Sequence, residues 1–212
     1  MGRIKRGILG GFHGTVGTVV GASWKGIDYM RSKAESIKNP RTRGQVTQRN
    51  KFATTLAFLQ PITSYVRVGF RPYAVKQTGF NAAMAYNIKN AITGEYPNFE
   101  LDYSKALVSR GTLTPAEGAD VTVVEGGVMF NWHDNSGKGD ALQTDLAMPL
   151  LFNKDKQEAV FSTASNKRFE EEATLTVPAD WNGSEVEAYL GFISADGKSV
   201  ATSVYLGSLT IV

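Results

Sequence analysis

The sequence predicts an α+β fold, with a basic N-terminal β-ribbon and helices over residues 1–110 and an acidic antiparallel β-sandwich over 111–212. Three observations predict it. The first 36 positions combine many glycines with β-branched and aromatic residues, helical apolar spacing then runs from Asn39 to Ile92, and alternation with period two begins at residue 119.

The opening stretch carries Val16, Val19 and Val20, then Trp24, Ile27, Tyr29 and Met30, spaced by glycines. β-Branched and aromatic residues favour strands, and glycines allow turns or close backbone approach. A twisted ribbon turning at Trp24-Lys25-Gly26 is expected. The run from Gly7 to Gly17 is no phosphate loop, because no Gly-Lys-Ser/Thr closes it and it is not a dinucleotide fingerprint.

A helix start follows. Asn39-Pro40 breaks the chain, Thr42 can cap, and Gln45 three residues on completes a capping box. Phe52, Ala53, Leu56, Leu59, Ile62, Tyr65 and Val66 recur at three- and four-residue steps, which predicts one apolar face, with a kink or end at Pro61. Arg41, Arg43, Arg49 and Lys51 crowd the first turns, where the helix dipole favours acids, so an acidic or nucleic-acid partner is expected for them. A second helix is expected over Asn81 to Ile92, with Phe80, Met84, Ile88 and Ile92 packing on the first. Ser104 to Leu113 alternates enough to read as a strand at the domain boundary.

Seven strands are then expected: 121–124, 128–132, 142–152, 159–162, 173–177, 186–193 and 199–212. Gly126-Gly127, Asp134 to Gly139, Asn153 to Lys156, Trp181-Asn182-Gly183 and Asp196-Gly197 supply turns between them. Seven short strands in about 100 residues match an immunoglobulin-like sandwich, with Trp132 and Tyr189 as core aromatics.

Charge separates the halves. Residues 1–110 hold 17 Lys and Arg against 5 Asp and Glu, whereas residues 111–212 hold 6 against 15. Such asymmetry suits a polyanion partner or a self-complementary assembly. The chain has no Cys, which excludes a disulfide framework, a zinc ribbon and a thiol nucleophile. No apolar run approaches the roughly 20 residues of a membrane span, and the glycine-broken start is not a signal peptide, so synthesis in the cytoplasm is expected.

Candidate chemistry is sparse. His133-Asp134 sits at a turn, His13 has no evident acidic neighbour, and Glu170-Glu171-Glu172 lacks calcium-loop spacing. Ser162, Ser165 and Ser184 have no nucleophile-elbow context. No catalytic residue, metal site or cofactor is expected, and the chain is not read as an enzyme.

The run Gly14 to Gly26, G-x-V-G-T-V-V-G-x-S-W-K-G, is followed by Asn39 to Phe52, N-P-x-T-x-x-Q-x-x-x-R-x-x-F. With Tyr189-Leu190, Asp196-Gly197 and Val204 to Gly207, these motifs resemble a family of uncharacterised proteins from Bacteroidota and their mobile elements. The family is classed as a domain of unknown function and offers no catalytic residues to transfer. Similar segments in small phage proteins imply a virion or assembly role. The expected function is therefore that of a self-assembling structural protein, docked by its glycine-rich arm through Val16, Val19, Trp24 and Tyr29, and residing in an assembled particle. The alternative is sequence-independent nucleic-acid binding through Arg41, Arg43, Arg49 and Lys51.

Overall fold

The glycine-rich start forms four antiparallel strands in a computed structural model, which describes every residue except 1, 5, 6, 8, 9, 25, 37, 38, 40 and 212. They are β1 (Arg3–Ile4), β2 (Phe12–Val16), β3 (Val19–Trp24) and β4 (Ile27–Ser32), paired in chain order. Trp24 pairs with Ile27, so the hairpin turns where expected, although Lys25 lies outside the described residues. Gly26 takes a positive φ of 87° there, a conformation that glycine adopts without steric cost.

Two compact units result, one of residues 1–42 and one of residues 43–212. The division therefore falls at 42/43, and the boundary expected near residue 110 lies inside the second unit. The reason is packing. Phe58, Leu59, Ile62, Tyr65 and Val66 share one buried cluster with Met148, Leu150, Phe152 and Tyr189, so the helices and the sandwich form a single body.

In that body α1 (Arg43–Leu59) begins one residue after Thr42, where the cap was expected. Pro61 ends it, and α2 (Thr63–Gly69) resumes the helical path. α3 (Gly79–Asn90) follows a 3₁₀ turn at Arg71–Tyr73. Its cap is Thr78, whose hydroxyl accepts from the Asn81 N–H at 3.1 Å, rather than Asn81 itself. A hairpin of β5 (Ile92–Glu95) and β6 (Asn98–Leu101) comes next, within a stretch expected only to connect.

Ser104 to Leu113 is not a strand. Side chains bind its backbone in place of a ladder. The Asn87 amide donates to the Leu107 carbonyl and accepts from the Leu107 N–H, both at 3.0 Å, while Ser203 Oγ accepts from the Val108 N–H at 3.2 Å.

All seven sandwich strands form: β7 (Glu117–Val124), β8 (Gly127–His133), β9 (Leu146–Asn153), β10 (Glu158–Phe161), β11 (Glu172–Thr176), β12 (Glu185–Ile193) and β13 (Val204–Thr210). One sheet has the order β10-β9-β12-β13 and the other β11-β8-β7, every pairing antiparallel. Side chains alternate between faces along a strand. On β12, Val186, Ala188, Leu190 and Phe192 join Val128, Phe130 and Trp132 in a core between the sheets. Tyr189 and Ile193 point the other way, into the helical layer. The four-stranded sheet is thus the middle of three layers, which is why β12 is buried from Val186 to Ile193. Trp132 occupies the expected place between the sheets, whereas Tyr189 lies on the opposite face and donates to the Tyr103 carbonyl at 2.8 Å.

Asp196 closes the turn between β12 and β13. The Ser194 hydroxyl, then the Lys198 N–H and ammonium, lower its carboxyl from the usual 3.8 to about 2. A depressed folded value contributes stability that is complete above the unfolded value and is lost as pH falls through about 2. NMR titration of the Asp196 carboxyl should give a midpoint near 2, and Ser194→Ala should move it upward.

Candidate self-association surface

Strand pairing in the N-terminal unit leaves most of its described large apolar side chains exposed. No described residue of 1–42 joins either buried cluster, and the only described buried residue there is Gly21. Ile4, Val16, Val19, Trp24, Ile27, Tyr29 and Met30 account for seven of the twelve large apolar residues exposed among the described residues, a concentration far above this unit's share of the chain.

These residues lie on two faces. Ile4, Phe12, Val16, Val19 and Met30 line one concavity of about 340 Å³ with scarcely any polar lining. Gly21 sits under Phe12, where a Cβ would come within 2.0 Å of the Phe12 carbonyl oxygen, so glycine is required for this close packing. The register puts Tyr29 opposite Ala22 and Ile27 opposite Trp24, on the other face. Val16 and Val19 are therefore brought together, Trp24 and Tyr29 are brought together, and the two pairs back onto opposite sides of the sheet. Ile4, Ile27 and Met30 complete the apolar faces; Ile27 and Met30 were read from sequence as strand residues but not as contact residues, and Ile4 was not named. Period-two spacing across the Trp24 hairpin carries the signal that would have found Ile27 and Met30. β4 is also an open edge with all six residues exposed.

The four basic residues are divided between the two units. Arg41, at a φ of 46°, belongs to the first unit, whereas Arg43, Arg49 and Lys51 are on α1. At 100° per helical residue, Arg43 and Arg49 lie about 120° apart and Arg49 and Lys51 about 160° apart. Lys51 covers the Phe99 ring, with its ammonium 5.1 Å from the centroid. α1 has no buried residue before Thr55, so Phe52, expected in the core, is exposed, and Phe58 takes the core role.

Polar clusters in the body are internally paired. Glu187, which is 3% exposed, accepts from the Tyr205 hydroxyl at 2.5 Å and pairs with Lys154 at 3.0 Å, and Lys154 also reaches Glu185 at 2.8 Å. Glu185 first and Glu187 after it hold the Lys154 ammonium above its usual range, which suits a structural cation and not a nucleophile. His13 has an acidic neighbour after all, with Nε2 3.5 Å from Asp28 Oδ1. Among the described residues no three His, Cys, Asp or Glu side chains are grouped to hold a metal ion, and no helix is long and apolar enough to cross a membrane.

Fold and surface together define a class: an α+β protein whose three-layered body carries both cores and whose small N-terminal sheet is apolar on both faces. The chain belongs to the family of unknown function DUF6266, which it matches over residues 11–207, a span that includes most of both units. None of the curated proteins and none of the solved structures compared with the chain matches it.

Proposed function

We propose that this chain is a non-enzymatic structural protein that self-assembles, with the N-terminal sheet of one copy covered by another. One observation carries the reading: a four-stranded sheet with large apolar side chains on both faces and, among its described residues, no buried side chain. Apolar area of this kind is stabilised by covering it, at about 25 cal/mol per Å² removed from water. The occupant is a second copy because the charges are complementary. The first unit holds 8 Lys and Arg against 2 Asp and Glu, whereas residues 111–212 hold 6 against 15. Contact between two different patches is heterologous and generates rings or filaments.

The body strands support an immunoglobulin-like reading in finer detail. Taking β7 to β13 as A, B, C, C′, E, F and G gives sheets A-B-E and C′-C-F-G, an order found in such sandwiches. The resemblance to proteins of Bacteroidota and their mobile elements supports a virion or filament component as the setting.

Light scattering on the nuclease-treated full chain across a salt series, with absorbance at 260 nm, tests the reading. Defined multiples of the chain mass, free of nucleic acid and partly dissociated by high salt, are expected. A monomer that retains nucleic acid at low salt and releases it at high salt would overturn it in favour of a phosphate-binding surface.

A further inference from the structure

The body contains a second feature that the assembly reading does not use. Arg110 lines a cleft of about 390 Å³ together with residues of the 3₁₀ turn at Arg71–Tyr73 and of α3. Its guanidinium lies over two tyrosine rings, with the carbon 4.4 Å from the Tyr73 ring centroid and 5.0 Å from that of Tyr86. The backbone is held as well. The Arg110 N–H donates to the Gly69 carbonyl at 2.9 Å, and Gly69 packs so closely on Val108 and Ser109 that a Cβ there would come within 2.6 Å of the Val108 oxygen.

Cation–π contact with a ring does not use the N–H donors at the in-plane edge of a guanidinium. Among the described residues no hydrogen bond or ion pair takes up the side-chain donors of Arg110, although Arg71 nearby is satisfied by the Gly197 carbonyl at 2.7 Å. Lys89, exposed in the last turn of α3, adds a second positive charge to the cleft without an acidic partner among the described residues. The lining has Gln77 and Asn90 but neither Asp nor Glu. This combination differs from Arg168 in the same body, whose guanidinium also lies on a ring but is paired with Asp145.

A rigid planar fork with its donors unspent, in a cleft whose only charged lining residues are cationic, is suited to an oxyanion that accepts two parallel N–H bonds. The geometry points to an oxyanion-binding site at Arg110, with Lys89 as second cation and the Tyr73 and Tyr86 rings positioning the guanidinium. The ligand group is a carboxylate or a phosphate. Neither the N-terminal sheet nor its assembly is needed for it, so the site stands or falls independently of the proposed function.

Ligand-observed NMR on the full chain tests it, because it reads the small anion whatever the size of the assembly. Acetate is followed by saturation transfer and inorganic phosphate by ³¹P line broadening, each against chloride at matched ionic strength. Saturable binding of at least one anion is expected, and which arm responds identifies the group. Arg110→Gln, which keeps a planar side-chain end beside the rings but removes the charged fork, should weaken binding about tenfold, on the scale of one hydrogen bond to a charged group. Lys89→Gln, on an exposed position that leaves packing intact, should weaken it about threefold and decides the matter if the Arg110 variant does not fold. No saturable binding, equal competition by chloride, or unchanged binding in folded variants of both residues would overturn the site and leave Arg110 a packing residue.

Discussion

Removing residues 1–42 leaves a folded body that no longer assembles: light scattering gives a monomer at every salt concentration, while the urea midpoint of the body stays where it is in the full chain. The physical argument rests on where the cores are. Both buried clusters begin at or after Phe58, so the truncation removes no described member of either cluster. The truncation does remove seven exposed large apolar residues and the open β4 edge, the material available for a copy-to-copy contact. A shortened chain that still formed particles would move the contact to the body and overturn the arm as the joining element. The full chain carrying Val16→Lys with Met30→Lys, on one face, and another carrying Trp24→Ser with Tyr29→Ser, on the other, would then show which face is covered, since charge placed in an apolar contact opposes association.

Arg168→Ala should destabilise the body by about 3–5 kcal/mol, the range for breaking a buried ion pair from one side. Arg168 and Asp145 are both 0% exposed in their side chains and meet at 3.2 Å. The guanidinium also donates to Asn135 Oδ1 at 2.6 Å and to the Thr114 carbonyl at 2.9 Å, and lies over the Phe192 ring at 3.9 Å. Its own carbonyl accepts from the Trp132 indole at 2.7 Å. Four separate loops and strands thus converge on one side chain. Asp145 Oδ1 has no hydrogen-bond partner even in the intact pair, so removing the arginine leaves the carboxylate buried with still less compensation. Urea unfolding followed by tryptophan fluorescence measures the loss. The double variant Asp145→Leu with Arg168→Met should recover most of it, because two apolar residues leave no unpaired charge. A single-variant loss below about 1 kcal/mol, the scale of a surface pair, would refute this account of the site.

Local pattern made much of the fold legible. The seven sandwich strands were readable because alternation and turn residues act over a few positions, and Pro61 marked the helix break because its ring clashes with the preceding turn. Ser104 to Leu113 misled because its alternation is real. Asn87 and Ser203 satisfy its backbone from distant parts of the chain, and no local signal distinguishes side-chain amides and hydroxyls from a neighbouring strand. Phe52 was read as core and Phe58 passed over because helical spacing reports an apolar stripe but not how far along the helix the sheet reaches. The arm's apolar residues were visible one by one. Their separation into two faces followed only from the hairpin register, and Arg110 gave no signal because Tyr73 and Tyr86 meet it only in three dimensions.

By itself the sequence determined the strand positions in the sandwich, the start and break of the first helix, the hairpin at Trp24, and the charge separation between the two ends of the chain. These depend on interactions between near neighbours: side-chain period, turn conformation, capping and net charge. The tertiary structure alone decided that the helices cover the middle sheet, that the compact division falls at 42/43, that the N-terminal sheet exposes large apolar residues on both faces, and that Arg110 meets two tyrosine rings with its side-chain donors unused among the described residues. Those outcomes depend on which distant segments come together to share buried area, and the period of a single segment records that it will be buried without recording against what.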